Sequence, residues 1–384
     1  MTRRSEITEF LTTLTSPNAQ PHPLANAALV VRRGGEVIFD GASEFIDAAA
    51  PEPGRLFTTE TPIRFASVSK TITARLVVEL AQADRFSLDD NLFELIGLEA
   101  EIPKPVPVWT ALNHTSSLTD RAGYFVDPPE RLYDLIMQNW HQIADDRRPG
   151  EYFLYANLNY VLLGWLIEAV SGQRFHELAR KRVLEPLGIS GGFNWEGVPP
   201  ERRAERAPVG RWEAGRFVEK FDGLDLKLEG EVIDRFGQGL RIRDFPLGEG
   251  AAIFSPHAGL RMSVRDAALL AESFGSDDPA VAFQRKPSWR FDPALRNGAP
   301  GEGLFYSFGA GLQILPTGDV YPGELCGHYG DAFGFRGGCW WDATSGLSFA
   351  YSLNGFAENP GVSDDDYFRP QELALMRLVG EVFA

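Results

Sequence analysis

The chain is short of cysteine, lysine and histidine, and it has no long apolar run. Cys326 and Cys339 are the two cysteines among 384 residues. Their spacing matches no zinc-binding pattern. They flank a glycine-rich bend, where paired strands could set them opposite each other. Two buried thiols are expected in a reducing compartment, with a disulfide as the alternative. The six histidines are scattered and no His-Glu-x-x-His segment occurs, so neither a metal nor a cofactor is expected. Thr2-Arg3-Arg4-Ser5-Glu6 leads into an amphipathic stretch, not into the apolar core of a signal peptide. No segment is long enough to span a bilayer, so a soluble, cytoplasmic protein is expected. Basic charge is also scarce, with 37 basic against 53 acidic residues and a formal net charge of -16. That balance argues against nucleic acid and anionic membranes as partners. A neutral or cationic small molecule is easier to accommodate. Nothing in the chain indicates an oligomeric state.

Apolar residues, by contrast, are plentiful, at 44% of the chain with 12% aromatic. A chain of this size is expected to divide into two lobes. Periodicity predicts an N-terminal helix over 4–14, then strands at 27–32 and 36–40 around the turn signal Gly34-Gly35. Residues 71–83 carry Ile72, Ala74, Leu76, Val77, Val78, Leu80 and Ala81, apolar nearly all round, which is the pattern of a buried helix. Further helices are predicted over 88–96, 132–140, 158–170, 175–187 and 264–274. Between 192 and 250 the pattern breaks down into charges, glycines and prolines, read as long loops over one face of a site. Strands follow at 306–315, 325–330, 334–341 and 347–353, and a helix over 372–383 ends the chain. Hairpins at both ends favour one antiparallel sheet shared by the two termini, with a helical lobe inserted between them.

Three segments carry candidate chemistry. Ser67-Val68-Ser69-Lys70 places a hydroxyl and an amine at i and i+3, on one face of the start of the buried helix. An amine beside a serine can take its proton and make it a nucleophile. The same spacing also describes a helix-capping serine with an unrelated surface lysine. A lysine in the first turn of a buried helix, however, needs a partner or a task. In Tyr155-Ala156-Asn157, the phenol can relay a proton and the Asn157 amide can orient the lysine or a substrate. Alternatively, Tyr155 packs and Asn157 caps the following helix. In Gly327-His328-Tyr329-Gly330-Asp331, a strand edge offers backbone N–H groups to a carbonyl oxygen, and Gly330 permits close approach. His328 could equally be an ordinary half-buried strand histidine. His257-Ala258-Gly259 repeats the His-x-Gly spacing but precedes a helix, so it ranks far lower.

Taken in order, these segments resemble the serine β-lactamase and penicillin-binding-protein superfamily. More narrowly, they resemble its class C-like branch of esterases and D-aminopeptidases. Leu112-Asn113-His114-Thr115-Ser116-Ser117-Leu118 is similar to the branch's Leu-x-x-His-Thr-Ser-Gly-Leu, with Ser117 for the glycine. The stretch from Tyr160 through Val170-Ser171-Gly172 to Pro186-Leu187-Gly188, the segment 255–266 and the block 327–337 follow it too. The resemblance covers about 29–353 and is weakest across 192–250.

It implies an α/β (α+β) fold of β-lactamase/transpeptidase type: an antiparallel five-stranded sheet flanked by helices from both termini, plus the inserted, mostly helical lobe. The sheet lobe would take 1–90 and 300–384, the helical lobe 91–299, with the active site between them. It further implies Ser67 as acylated nucleophile, Lys70 and Tyr155 as proton carriers, and Asn157 completing their network. The oxyanion would be held by the backbone N–H groups of Ser67 and Asp331. His328 stands where β-lactamases of the superfamily carry the lysine of Lys-Thr-Gly, which argues against a dedicated β-lactamase.

The expected activity is hydrolysis of a small ester, amide or short peptide through an acyl-enzyme, with an esterase ranked first. D-aminopeptidase or D-amino-acid amidase, acyltransferase, weak β-lactamase and a catalytically silent binding protein are the alternatives. For a D-aminopeptidase, Asp331 would be the counter-charge for a substrate ammonium; otherwise it is a turn residue. Tyr329, with Tyr124, Phe125 and Phe333, could line an apolar acyl pocket.

Overall fold

A computed structural model describes residues 3–45, 56–98, 102, 104–126, 130–220, 231–233, 239–241, 245–298, 307–318, 320–358 and 368–384. Alternation of side chains builds its centre. In the strand Asn26–Arg33, Ala27, Leu29 and Val31 point to one face of the sheet and Ala28 and Val30 to the other, and all five are buried. Each face is covered by helices, so both sets are apolar. Ala27, Leu29 and Val31 meet Ile7 and Leu11 of the helix Arg3–Leu14 and Leu375, Met376 and Val379 of the helix Pro370–Phe383. Ala28 and Val30 face the larger core, which holds the helices Ser69–Gln82 and Val264–Ser273. Helices from both termini therefore pack on the sheet, as the sequence indicates.

The sheet is antiparallel but has eight strands among the described residues where five were expected. Glu36–Glu44, Asn26–Arg33, Leu347–Asn354, Phe335–Asp342 and Leu325–Ala332 lie side by side in that order and carry most of the pairing. Three short strands, Gln313–Leu315, Ser307–Phe308 and Trp289–Arg290, extend the sheet beyond Leu325–Ala332. The single strand read at 306–315 is split because Gly309-Ala310-Gly311 turns back on itself. Gly311 has φ +71°, and a Cβ there would lie 2.4 Å from the Ala74 Cβ of the buried helix. Tyr306 lies outside the described residues.

Other helices follow the periodicity, as Leu132–Ile143 and Asn157–Ser171, while the one read at 88–96 shrinks to Leu92–Leu95. There a turn closed by Ser87 N–H on the Asp90 carboxylate occupies the expected first residues, and Asn91 caps the helix instead. The irregular stretch 192–250 holds short turns and two small hairpins, Gly210–Glu213 with Arg216–Glu219 and Glu231–Ile233 with Gly239–Arg241. Residues 221–230, 234–238 and 242–244 of that stretch lie outside the described part. Among the described residues, no helix is long and apolar enough to cross a membrane.

The cysteines sit on neighbouring strands but not opposite each other. Cys326 is registered with Trp341, and Cys339 with His328. Both are buried free thiols, which corrects the disulfide alternative. Burial pushes the Cys326 thiol up to about 12 and the Cys339 thiol well above its ordinary value, so neither is a reactive thiolate.

Candidate active site

The helix Ser69–Gln82 begins inside the protein. A tight turn, Ala66–Val68, precedes it, and Lys70, Ile72, Ala74 and Val77 are buried. Ala66 takes φ +44°, an uncommon conformation for a residue with a side chain, immediately before Ser67. The strand Leu325–Ala332 runs past this turn. Its pairing with Gln313–Leu315 ends at Gly327, which among the described residues leaves the later part of that edge without a sheet neighbour on that side. Gly330 fits here because a Cβ would come within 2.4 Å of the Phe65 carbonyl oxygen. Any other residue would push the strand off the Ala66–Val68 turn, and the N–H of Asp331 would move with it.

Lys70 is wholly buried, and its Nζ lies 2.9 Å from Ser67 Oγ, 2.8 Å from Asn157 Oδ1 and 3.0 Å from the His257 carbonyl oxygen. Burial lowers its pKa from 10.5 to about 7, and the Asp120 carboxylate opposes that shift. The Tyr155 phenol is hydrogen-bonded to Ser67, and burial drives its pKa well above 10. The Lys70 ammonium position lies 4.9 Å from the centre of the Tyr155 ring and 5.6 Å from that of Tyr160. Ser67, Lys70, Tyr155 and Asn157 therefore meet in one network.

His328 is brought beside that network without joining it. Its ring centre is 6.3 Å from that of Tyr155, and its Nδ1–H donates to the Tyr329 carbonyl at 2.5 Å. Burial, together with Lys70, lowers its pKa to about 3, so the ring is neutral and its Nε2 can only accept. The position carries no positive charge at neutral pH. Asp331 lies at the cavity but accepts from Arg336 Nη1 at 2.6 Å, and Arg336 is also bonded to the buried Glu372. Tyr329 lines the same cavity, as do Tyr124, Phe125 and Phe333.

Three parts of the site escape sequence reasoning. Asp120 caps the helix Asn157–Ser171 from outside it, accepting from the backbone N–H groups of Asn157 and Leu158 at 2.8 and 2.9 Å. It also accepts from the Asn157 side-chain nitrogen at 3.0 Å, which turns Oδ1 toward Lys70. Asn157 is thus the first helical residue rather than its own cap. Its sequence signal is faint: one carboxylate two residues beyond Leu118, 37 residues before its partner. The His257 segment, ranked low, supplies a main-chain carbonyl to Lys70, and its buried ring lines the cavity. His114 stacks on Tyr155 with ring centres 4.2 Å apart. Its Nδ1 accepts the Ala156 N–H, and burial keeps the ring neutral.

A cavity of about 530 Å³ opens on Ser67, Tyr155 and Asn157. A hydroxyl on the wall of such a cavity, between a buried amine and a phenol, has beside it groups of the type that can take or relay its proton.

Known proteins share this frame. The chain is 26% identical over 346 residues to the esterase EstB of Burkholderia gladioli, covering 76% of this chain and 85% of that one. It is 29% identical over 175 residues to penicillin-binding protein 4 of Amycolatopsis lactamdurans, a match spanning 44% of each chain and so less than half of that relative. The D-amino acid amidase from Ochrobactrum anthropi SV3 superposes with a TM-score of 0.70 over 99% of this chain and 98% of that one; at 19% identity it speaks for the fold alone. The family described as Beta-lactamase matches residues 16–374, which is nearly all of the sheet, the buried helix and the cavity, and the chain belongs to that family.

Proposed function

We propose that the chain is a serine hydrolase that cleaves small esters or amides through an acyl-enzyme on Ser67. The observation that carries this reading is the hydrogen bonding of Lys70. Its two carbonyl acceptors, Asn157 Oδ1 and the His257 oxygen, use both N–H bonds of a neutral amine. The lone pair then faces Ser67 Oγ. With its pKa lowered to about 7, a large share of the amine is neutral at physiological pH.

Lys70 takes the Ser67 proton while Oγ bonds to the substrate carbonyl carbon. The carbonyl oxygen, now negative, is held by the N–H groups of Ser67 and Asp331. Collapse of this intermediate breaks the bond to the leaving group, which takes back a proton through the Lys70–Ser67–Tyr155 network. Water then repeats the sequence on the ester. Tyr155 stays a phenol throughout and donates or relays rather than acting as a free base. The similarity to EstB supports an ester as the first substrate to try.

Reaction with a fluorophosphonate tests the reading directly. One phosphonyl adduct is expected in the intact mass, and digestion is expected to map it to Ser67. An unlabelled protein, or an adduct on another serine, would overturn it. The Asp331–Arg336 pair offsets the charge that a substrate ammonium would meet. Asp331→Asn is therefore expected to leave the ratio of activity on D-amino-acid p-nitroanilides to that on their N-acetyl forms unchanged within twofold. A clear loss of the free-amine preference would give Asp331 the ammonium role instead.

A further inference from the structure

The charged residues on the cavity wall run against the charge of the chain. The strand pair Ile63–Arg64 and Arg261–Met262 sets Arg64 directly opposite Arg261, and both line the cavity that holds Ser67. Asp331, already engaged by Arg336, is the one acidic residue among the described residues of the same wall. Among the described lining residues two arginines thus stand with one acid, in a protein of net charge -16.

Both guanidinium groups are buried and held by main-chain carbonyls. Arg64 Nε donates to the Ala258 oxygen at 2.9 Å, and Arg261 Nη1 to the Gly259 oxygen at 2.5 Å. Asn194 is brought alongside by the backbone exchange between Gly192 and Arg261. Its Oδ1 accepts the Gly197 N–H at 2.7 Å, which leaves Nδ2 as a buried donor without an acceptor. Such a donor is costly unless something arrives to accept it.

We infer that Arg64, Arg261 and Asn194 form a carboxylate-recognition subsite, and that the preferred substrate is an ester or amide bearing a free carboxylate. A carboxylate has the acceptor count and planar shape that guanidinium and amide donors match. Binding it would give Asn194 Nδ2 its acceptor. The inference rests on the serine-hydrolase reading above, and its test separates the two.

The test compares 4-nitrophenyl hydrogen adipate with 4-nitrophenyl methyl adipate. A second pair, 3-butyryloxybenzoate against its methyl ester, moves the charge to the leaving group. In at least one pair the carboxylate is expected to raise kcat/KM by roughly 10- to 100-fold, mainly through KM. Asn194→Asp keeps the acceptor for Gly197 and replaces the free donor by a negative oxygen. It is expected to bring the preferred pair to parity or reverse it. Arg261→Gln is expected to shrink the preference as well, and thermal unfolding of both variants checks that they fold. Neutral esters matched or preferred in both pairs, with Ser67 still acylated, overturn the carboxylate subsite alone. A preference that Asn194→Asp leaves intact also overturns it. Failure of all four esters together with no fluorophosphonate adduct on Ser67 overturns the hydrolase reading and this inference with it.

Discussion

Ser67→Ala is expected to lower kcat/KM for any ester the protein hydrolyses by at least about 10⁴-fold. The variant loses 1 oxygen atom, yet that atom is the group to which the cavity, the Lys70 amine and the Tyr155 phenol are directed. The N–H groups of residues 67 and 331 would remain, so a residual advantage over uncatalysed hydrolysis survives from oxyanion binding. No covalent intermediate can form, so a burst of product before steady turnover should vanish along with fluorophosphonate labelling. The fold should tolerate the change, because no backbone group depends on the Ser67 hydroxyl among the described hydrogen bonds. Stopped-flow kinetics with a p-nitrophenyl ester and intact mass on the same sample check both expectations. Turnover within tenfold of the parent protein would remove Ser67 from the chemistry.

The parts of this site that can be read from sequence are those whose geometry is local. Ser67 and Lys70 are three residues apart at the start of a helix, and helical spacing alone brings them face to face. The buried character of that helix is equally local, because its apolar residues run nearly all round and leave only the narrow polar stripe Arg75, Glu79 and Gln82. Tyr155, Asn157 and His328 are different. Nothing in their spacing ties them to residue 67, and it was similarity to a known set of segments that placed them. Asp120 and the His257 carbonyl lie beyond either route. A main-chain acceptor has no residue type to mark it, and an aspartate that caps a helix 37 residues later looks like any loop aspartate.

The sheet shows the same division. Strands Asn26–Arg33 and Leu347–Asn354 have long apolar patterns that the sequence shows, whereas Trp289–Arg290, with 2 residues, is too short for any alternation to register, and Ser307–Phe308 reads as one strand with Gln313–Leu315. Their pairing depends on the Gly309–Gly311 turn packing against the buried helix, which is a tertiary cause. The pair of arginines on the cavity wall is hidden for a similar reason. Net charge speaks for the whole surface, while Arg64 and Arg261 meet through one short strand pair.

Lys70→Met should separate the base from the relay and expose the cost of burying an amine. In the parent protein kcat/KM is expected to rise with pH along a limb centred near 7, as Lys70 loses its proton. Tyr155 adds no limb of its own below pH 10, since its phenol is held well above its ordinary value. Lys70→Met should cut kcat/KM by about 10³-fold or more and abolish that limb.

The stability of the same variant follows from linkage. The folded pKa of Lys70 lies below its unfolded value of 10.5, so between about 7 and 10.5 the unfolded chain binds more protons than the folded one. The penalty for burying the amine is thus fully present below about pH 7 and is relieved as pH rises toward 10.5. Methionine carries no such penalty, but it leaves Asn157 Oδ1 and the His257 carbonyl without their donor, at about 1–3 kcal/mol each. The two effects oppose each other, and only the first depends on pH. The Tm difference between Lys70→Met and the parent should therefore be more favourable to the variant at pH 6 than at pH 9. A difference that is constant across that range, or an activity limb near 7 that survives the substitution, would move the base function away from Lys70 and leave Tyr155 to be tested in its place.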